Sequence, residues 1–283
     1  MEPLVFAAAL LSAALHAGWN AAVKAHPQPA EAMSAQMFGA ALIGLPGLVW
    51  LGLPPLAAWP WLVLSTALNT VAVRALLQAY RTGDFGTVYP VARAVSVLAV
   101  AAVAPLAMGD ALSTALTAGV VLVALALAGL AWDARRAGSR ALQASTLGWT
   151  LLAGAFIGGN VLSDAQAVRL TGSALQYGFA VSLVNTLAMG GVGWVQHREA
   201  APWTLLIRHA RVAVPAAAVS SVSYMLILWA YRHAPVPQAS ALRDTSAFFA
   251  MLIGVVWLKE RLNARRAALL GVALAGVVCL RLG

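Results

Sequence analysis

Three arginines stand where the chain should be apolar. Arg74, Arg93 and Arg243 lie inside hydrophobic runs of membrane-span length. Arg243 and Asp244 sit about seven residues inside theirs, roughly 10 Å below its edge at 1.5 Å per residue. A guanidinium at that depth costs at least about 2.5–3.5 kcal/mol, which a water-filled cavity or an ion partner must offset. Its natural chemistry there is to hold a carboxylate or phosphonate through charge-assisted hydrogen bonds. Arg93 and Arg243 read as an anion clamp, with Arg74 as a secondary contact and Asn20, Asn160, Tyr89 and Tyr224 orienting the rest of a ligand. Asp164 and Asp244 are the groups placed to carry a proton, with His16 behind them. An internal ion pair, Arg243 with Asp164 or Arg93 with Asp84, is the structural alternative. Intramembrane Ser, Thr and Asn also serve as interhelical glue at about 0.6 kcal/mol per contact.

The positions of these residues repeat. Tyr89-Pro90-Val91-Ala92-Arg93-Ala94-Val95-Ser96 followed by Met108-Gly109-Asp110-Ala111-Leu112 returns about 150 positions later as Ala239 to Ser246 and Leu258 to Leu262. Arg93 then falls on Arg243, Ser96 on Ser246 and Asp110 on Glu260. Gly158-Gly159-Asn160 and Asp164 likewise echo Gly18-Trp19-Asn20 and Lys24. A period of half the chain means a duplication, because solenoid repeats are far shorter.

Composition sets the solvent. Of the 283 residues, 61% are hydrophobic and only 10% charged, and the mean hydropathy is +0.82. Soluble domains average about 25% charged residues, so the chain reads as an all-α integral membrane protein in contact with the lipid bilayer. The net charge of +9 does not point to nucleic acid, because the basic residues sit in short connections between apolar runs. Cys279 stands alone, which excludes an intramolecular disulfide. The start, Met1-Glu2-Pro3, lacks the basic region of a signal peptide and reads as a retained helix.

Runs of span length fall at about 3–24, 31–51, 58–79, 86–107, 111–132, 145–167, 174–196, 209–230, 237–258 and 264–282. The polar linker from Asp133 to Arg140 divides them into an N-terminal five-helix repeat, 1–135, and a C-terminal one, 136–283. Twelve of the basic residues, Lys24, Arg81, Arg135, Arg136, Arg140, Arg198, Arg208, Arg211, Lys259, Arg261, Arg265 and Arg266, fall in odd-numbered connections. Three, Arg169, Arg232 and Arg281, fall in even-numbered ones or at the terminus. The positive-inside rule places the odd connections in the cytoplasm and both termini outside. Five spans per half make the repeats inverted in topology. Polar residues mark spans 1, 3, 4, 6, 8 and 9 as lining a central cavity, with Ser12, His16, Asn20 and Lys24 on one face of the first and Thr66, Thr70, Arg74 and Gln78 on one face of the third. Spans 2, 5, 7 and 10 read as dry packing or dimer-facing helices, Asn185 apart.

The strings H-A-G-W-N at His16 to Asn20, A-Y-R-T-G-D-F-G-T-V-Y-P-V-A-R at Ala79 to Arg93, and A-L-R-D-T-S with K-E-R-L at Ala241 to Leu262 resemble the EamA family of the drug/metabolite transporter superfamily. The resemblance covers nearly the whole chain. It implies ten transmembrane helices as two five-helix inverted repeats around a central cavity, alternating access, and small-metabolite cargo, often exported. Similar sequences carry Gly and then Pro after the first-half arginine, where Ala94 and Val97 stand here, and Gly-Glu in place of Gly109-Asp110 and Lys259-Glu260. The family is often drawn with cytoplasmic termini, against the charge distribution of this chain.

The expectation is a secondary active transporter for a small polar molecule with an anionic group, an amino acid or related organic acid, working by alternating access, with proton-coupled efflux as one mode. A channel or a substrate-sensing membrane protein without active transport is the alternative. His16, His26, His197, His209 and His233 show no metal-ligand spacing, and no H-E-x-x-H or G-x-S-x-G string occurs, so no enzyme, metal or cofactor is expected. Ten spans suffice for a monomer and are compatible with a homodimer. The short loops fit a bacterial inner membrane.

Overall fold

The computed structural model describes residues 1–83, 85–136, 143–197, 201–257 and 264–283. Asp84, residues 137–142, Arg198, Lys259, Glu260, Arg261 and Leu262 lie outside the described residues. All regular structure among the described residues is helical. The helices are α1 (Pro3–Lys24), α2 (Pro29–Leu51), α3 (Trp59–Thr82), α4 (Phe85–Met108), α5 (Thr114–Arg136), α6 (Ala144–Thr171), α7 (Ala174–His197), α8 (Pro202–Arg208), α9 (Ala210–His233), α10 (Val236–Asp244), α11 (Ser246–Trp257) and α12 (Ala264–Leu282). Among the described residues, seven segments are long and apolar enough to cross a membrane: α1, α2, Leu56–Thr82, Thr87–Met108, Thr114–Asp133, α6 and α9. The chain is therefore a multi-pass membrane protein.

Proline opens α1, α2, α3, α8 and α10, where its missing N–H is one that the helix could not use. Gly109 follows α4 with a φ of 69°, a left-handed turn that an L side chain resists and that brings Asp110 to its partners.

Helix packing is close. α6 lies against α3 and α4, α1 against α9, α10 and α11, α2 against α7 and α9, and α5 against α12. At the α6–α4 crossing a Cβ on Gly154 would stand 2.6 Å from the Ala92 carbonyl oxygen, and one on Gly158 3.0 Å from Ala99 Cβ. The small residues let two backbones meet, which supplies the dispersion contacts that drive helix association in lipid. The outer surface stays apolar, with Leu56, Trp50, Val49 and Leu106 exposed, as a hydrocarbon solvent demands.

Polar contacts fall into two rims. At one end Thr82 Oγ1 meets Thr146 Oγ1 at 2.6 Å, Glu31 accepts from Arg208 and pairs with His209, and Arg266 donates to Asp133. At the other end Arg169 grips Asp110 with both Nη atoms at 3.1 Å, while Gln176 donates to the carbonyls of Leu51, Gly52 and Leu53, and Arg281 reaches the Met1 carbonyl. The first rim gathers helix ends that flank odd-numbered connections, and the second gathers helix ends that flank even-numbered ones together with the termini. That is the division drawn by the basic residues.

The first-half motif forms one continuous helix, α4, straight through Pro90, whereas its second-half copy is interrupted at Thr245 between α10 and α11. The Thr245 hydroxyl donates to the Leu242 carbonyl at 2.6 Å, and its N–H reaches the same oxygen. A side chain that competes for a helix carbonyl in this way loosens the helix locally. The interruption sits directly after Arg243 and Asp244.

Candidate functional site

A cavity of about 350 Å³ opens between α1, α2, α3, α4, α6, α7, α9 and α10. Of the residues singled out by sequence, it brings together His16, Arg93, Asn160, Asp164, Tyr224, Arg243 and Asp244. It leaves out Asn20, Arg74 and Tyr89.

The two arginines are not equivalent. Arg93 Nη1 donates to Asp244 Oδ1 at 3.0 Å, its Nε donates to the Tyr89 hydroxyl at 3.1 Å, and its guanidinium lies 5.1 Å from the Tyr89 ring centre. Asp244 thus spans the two halves and neutralises Arg93. Arg243 has no carboxylate within ion-pair distance among the described residues. Its guanidinium carbon instead stands 5.7 Å from the centre of the Tyr224 ring. The internal pairing that forms is Arg93 with Asp244, not Arg243 with Asp164.

Asp164 is nearly inaccessible and sits among three hydroxyl donors. Ser65 and Tyr177 donate to Oδ1 at 2.5 and 2.7 Å, and Tyr224 donates to Oδ2 at 2.7 Å. Asn160 fixes Ser65 in turn, donating to its hydroxyl at 2.8 Å and its carbonyl at 3.1 Å. Three such donors compensate a buried carboxylate for the water it lacks. On α1, Asn20 turns back on its own helix to the His16 carbonyl at 2.9 Å and Nε2 at 3.2 Å, so it positions His16 and stays off the cavity wall.

Two expectations are corrected by this geometry. The cavity face of α3 runs through Asn69, Ala72, Val73 and Leu76, so Arg74, about 100° around the helix from Val73, is exposed away from it. Thr70 spends its hydroxyl on the Thr66 carbonyl. The helices read as dry also contribute: α2 brings Gln36, whose amide donates to Ser220 at 2.6 Å, and α7 brings Ser182, Asn185 and Thr186. Sequence reading missed Ser65, Tyr177 and Gln36. Gln36, an amide at mid-helix in an apolar run, was the available signal. Ser65 carried none beyond being one hydroxyl among several.

Residues 144–282 match the model of the EamA-like transporter family. The second half of the chain belongs to that family. No curated protein matches the chain, but 24 chains of solved structures do. One crystal structure, 17% identical, superposes with a TM-score of 0.73 over 99% of this chain and 96% of its own. At that identity the likeness establishes a shared fold. The EamA-like match covers α6 to α12 and with them Asp164, Tyr224 and Arg243. It assigns that half of the chain to a family of membrane transporters.

Proposed function

We propose that this EamA-type protein is a secondary active transporter that moves a small polar metabolite bearing an anionic group, an amino acid or related organic acid, by alternating access. Its units are two five-helix repeats of inverted topology, residues 1–135 and 136–283, together ten spans. The odd connections face the cytoplasm and the termini face outward, in a bacterial inner membrane. The repeat reading is supported by the packing, since α1 meets α9 as α6 meets α3, and α10 and α11 meet α1 as α4 meets α6.

The observation that carries the anionic cargo is Arg243. It faces the cavity at a helix interruption with no carboxylate partner among the described residues, whereas its repeat mate Arg93 is already neutralised by Asp244. Asp164 lies across the Tyr224 side chain from Arg243, so the acid and the arginine meet on one aromatic residue of the cavity wall. Asp164, Asp244 and His16 are the proton-coupling candidates, all on the cavity wall.

The test is uptake and efflux in proteoliposomes under an imposed pH gradient, with labelled amino acids and phosphonates, comparing wild type with Arg243→Ala. Saturable flux of an anionic compound, reduced at least about 100-fold in the variant, is expected if the variant loses a charge-assisted pair worth about 3 kcal/mol. Flux that survives the substitution removes Arg243 from the site.

A further inference from the structure

One residue links Asp164 to Arg243 on the cavity wall. Tyr224 donates its hydroxyl to Asp164 Oδ2 at 2.7 Å, and its ring centre lies 5.7 Å from the Arg243 guanidinium carbon. The two oxygens of Asp164 are unequally loaded. Oδ1 already accepts from Ser65 and from the wholly buried Tyr177, whereas among the described residues Oδ2 accepts from Tyr224 alone. A proton arriving from the cavity therefore adds to Oδ2.

The acid O–H formed there needs an acceptor, and the one in place is the Tyr224 oxygen. The hydrogen bond reverses. Asp164 now donates to Tyr224, and the phenolic hydrogen, released from the carboxylate, is free to turn into the cavity that Arg243 also lines. The change removes a negative charge and supplies a new donor, both of which favour an anion at that guanidinium. Ser65 offers no such route, because Asn160 fixes it, and Tyr177 does not line the cavity. The other groups facing Asp164 keep their partners through the exchange. Arg93 on α4 and Asp244 on α10 hold each other, while Tyr231 on α9 and His16 on α1 make no hydrogen bond to Asp164.

We propose that Tyr224 is the positioning residue that couples protonation of Asp164 to anion binding at Arg243, so that proton and anionic cargo load together and cross in the same direction. This rests on the reading of Arg243 as the anion site. By linkage the sign is fixed: anion affinity is highest with Asp164 protonated and falls as pH rises through its titration, by up to about tenfold per pH unit.

The experiment is calorimetric binding of benzoate to the purified full chain, from mildly acid to mildly alkaline pH. Wild type should bind more weakly as pH rises. Asp164→Asn, neutral at every pH, should bind with the acid-limb affinity and no pH dependence. Tyr224→Phe, which keeps the ring under Arg243, should lose at least about tenfold in acid-limb affinity and show a shallower slope, since only the loss of the Asp164 charge then acts on Arg243, a change that lost packing alone does not produce. Circular dichroism and monodispersity establish that each variant is folded. PH-independent binding in wild type, or a Tyr224→Phe slope equal to wild type, overturns the coupling and leaves the anion site standing. Absence of benzoate binding in wild type at every pH overturns the anion-site reading and this inference with it.

Discussion

Replacing Asp244 by Asn removes the charge that neutralises Arg93 and tests whether that pair is a structural unit between the two halves. The pair is close, at 3.0 Å, with side chains 15% and 5% exposed. Two unit charges about 4 Å apart attract by about 4 kcal/mol at an effective dielectric of about 20. Breaking a buried pair by removing one partner costs about 3–5 kcal/mol, most of it from stranding the other charge. Arg93 keeps the Tyr89 hydroxyl at 3.1 Å and a cavity beside it, which puts the cost near the lower end, at about 3 kcal/mol. For a chain of this size 1 kcal/mol corresponds to about 2 °C, so Asp244→Asn should lower the melting temperature in detergent by about 6 °C, read by tryptophan fluorescence. Arg93→Met should cost a similar amount. The double variant strands no charge, so it should recover most of one single loss, leaving a coupling energy of about 2–3 kcal/mol. Simple addition of the two losses would refute the reasoning, because it would mean that the carboxylate and the guanidinium do not depend on each other.

Two further outcomes follow from the packing and the rims. Gly154→Ala drives a methyl into the Ala92 carbonyl and Val95, and should destabilise the α4–α6 crossing by about 1–3 kcal/mol in the same melt. The Asp110 carboxylate joins Arg169 to the Val236 N–H, and Arg169 also holds the Tyr231 and Ala234 carbonyls directly beyond the cavity wall. With Cys279→Ser as background and a cysteine placed at Ser240, Asp110→Asn should raise the rate of maleimide labelling from that end severalfold relative to the same chain with Asp110 intact; an unchanged rate would show that this clasp does not seal the end.

How much of this was written in the sequence depends on which physical term decides each position. The class of protein follows from composition, since no soluble core could bury so much apolar surface. The rims match where Lys and Arg fall among the described residues that bond there: Arg169 and Arg281 stand on one rim, Arg208 and Arg266 on the other. The arginines in the spans were legible because burying a guanidinium is costly enough to need a reason. Hydroxyls carry no such penalty, so a helix with Ser65, Thr66, Asn69 and Thr70 in sequence offers two polar faces, and only the neighbours decide which one meets the cavity. That Ser65 and not Thr66 faces Asp164 is a consequence of α6 packing on α3. The repeat itself misled in one respect. Equivalence of Arg93 and Arg243 suggested two arms of one clamp, yet the copy in the second half is followed by Asp244 where the first has Ala94. That single acid neutralises the arginine of the other half of the chain, and so leaves two cavity-lining arginines unequal, Arg93 held by a carboxylate and Arg243 not. Where a sequence repeats itself, a functional site is read best at the positions at which the copies differ.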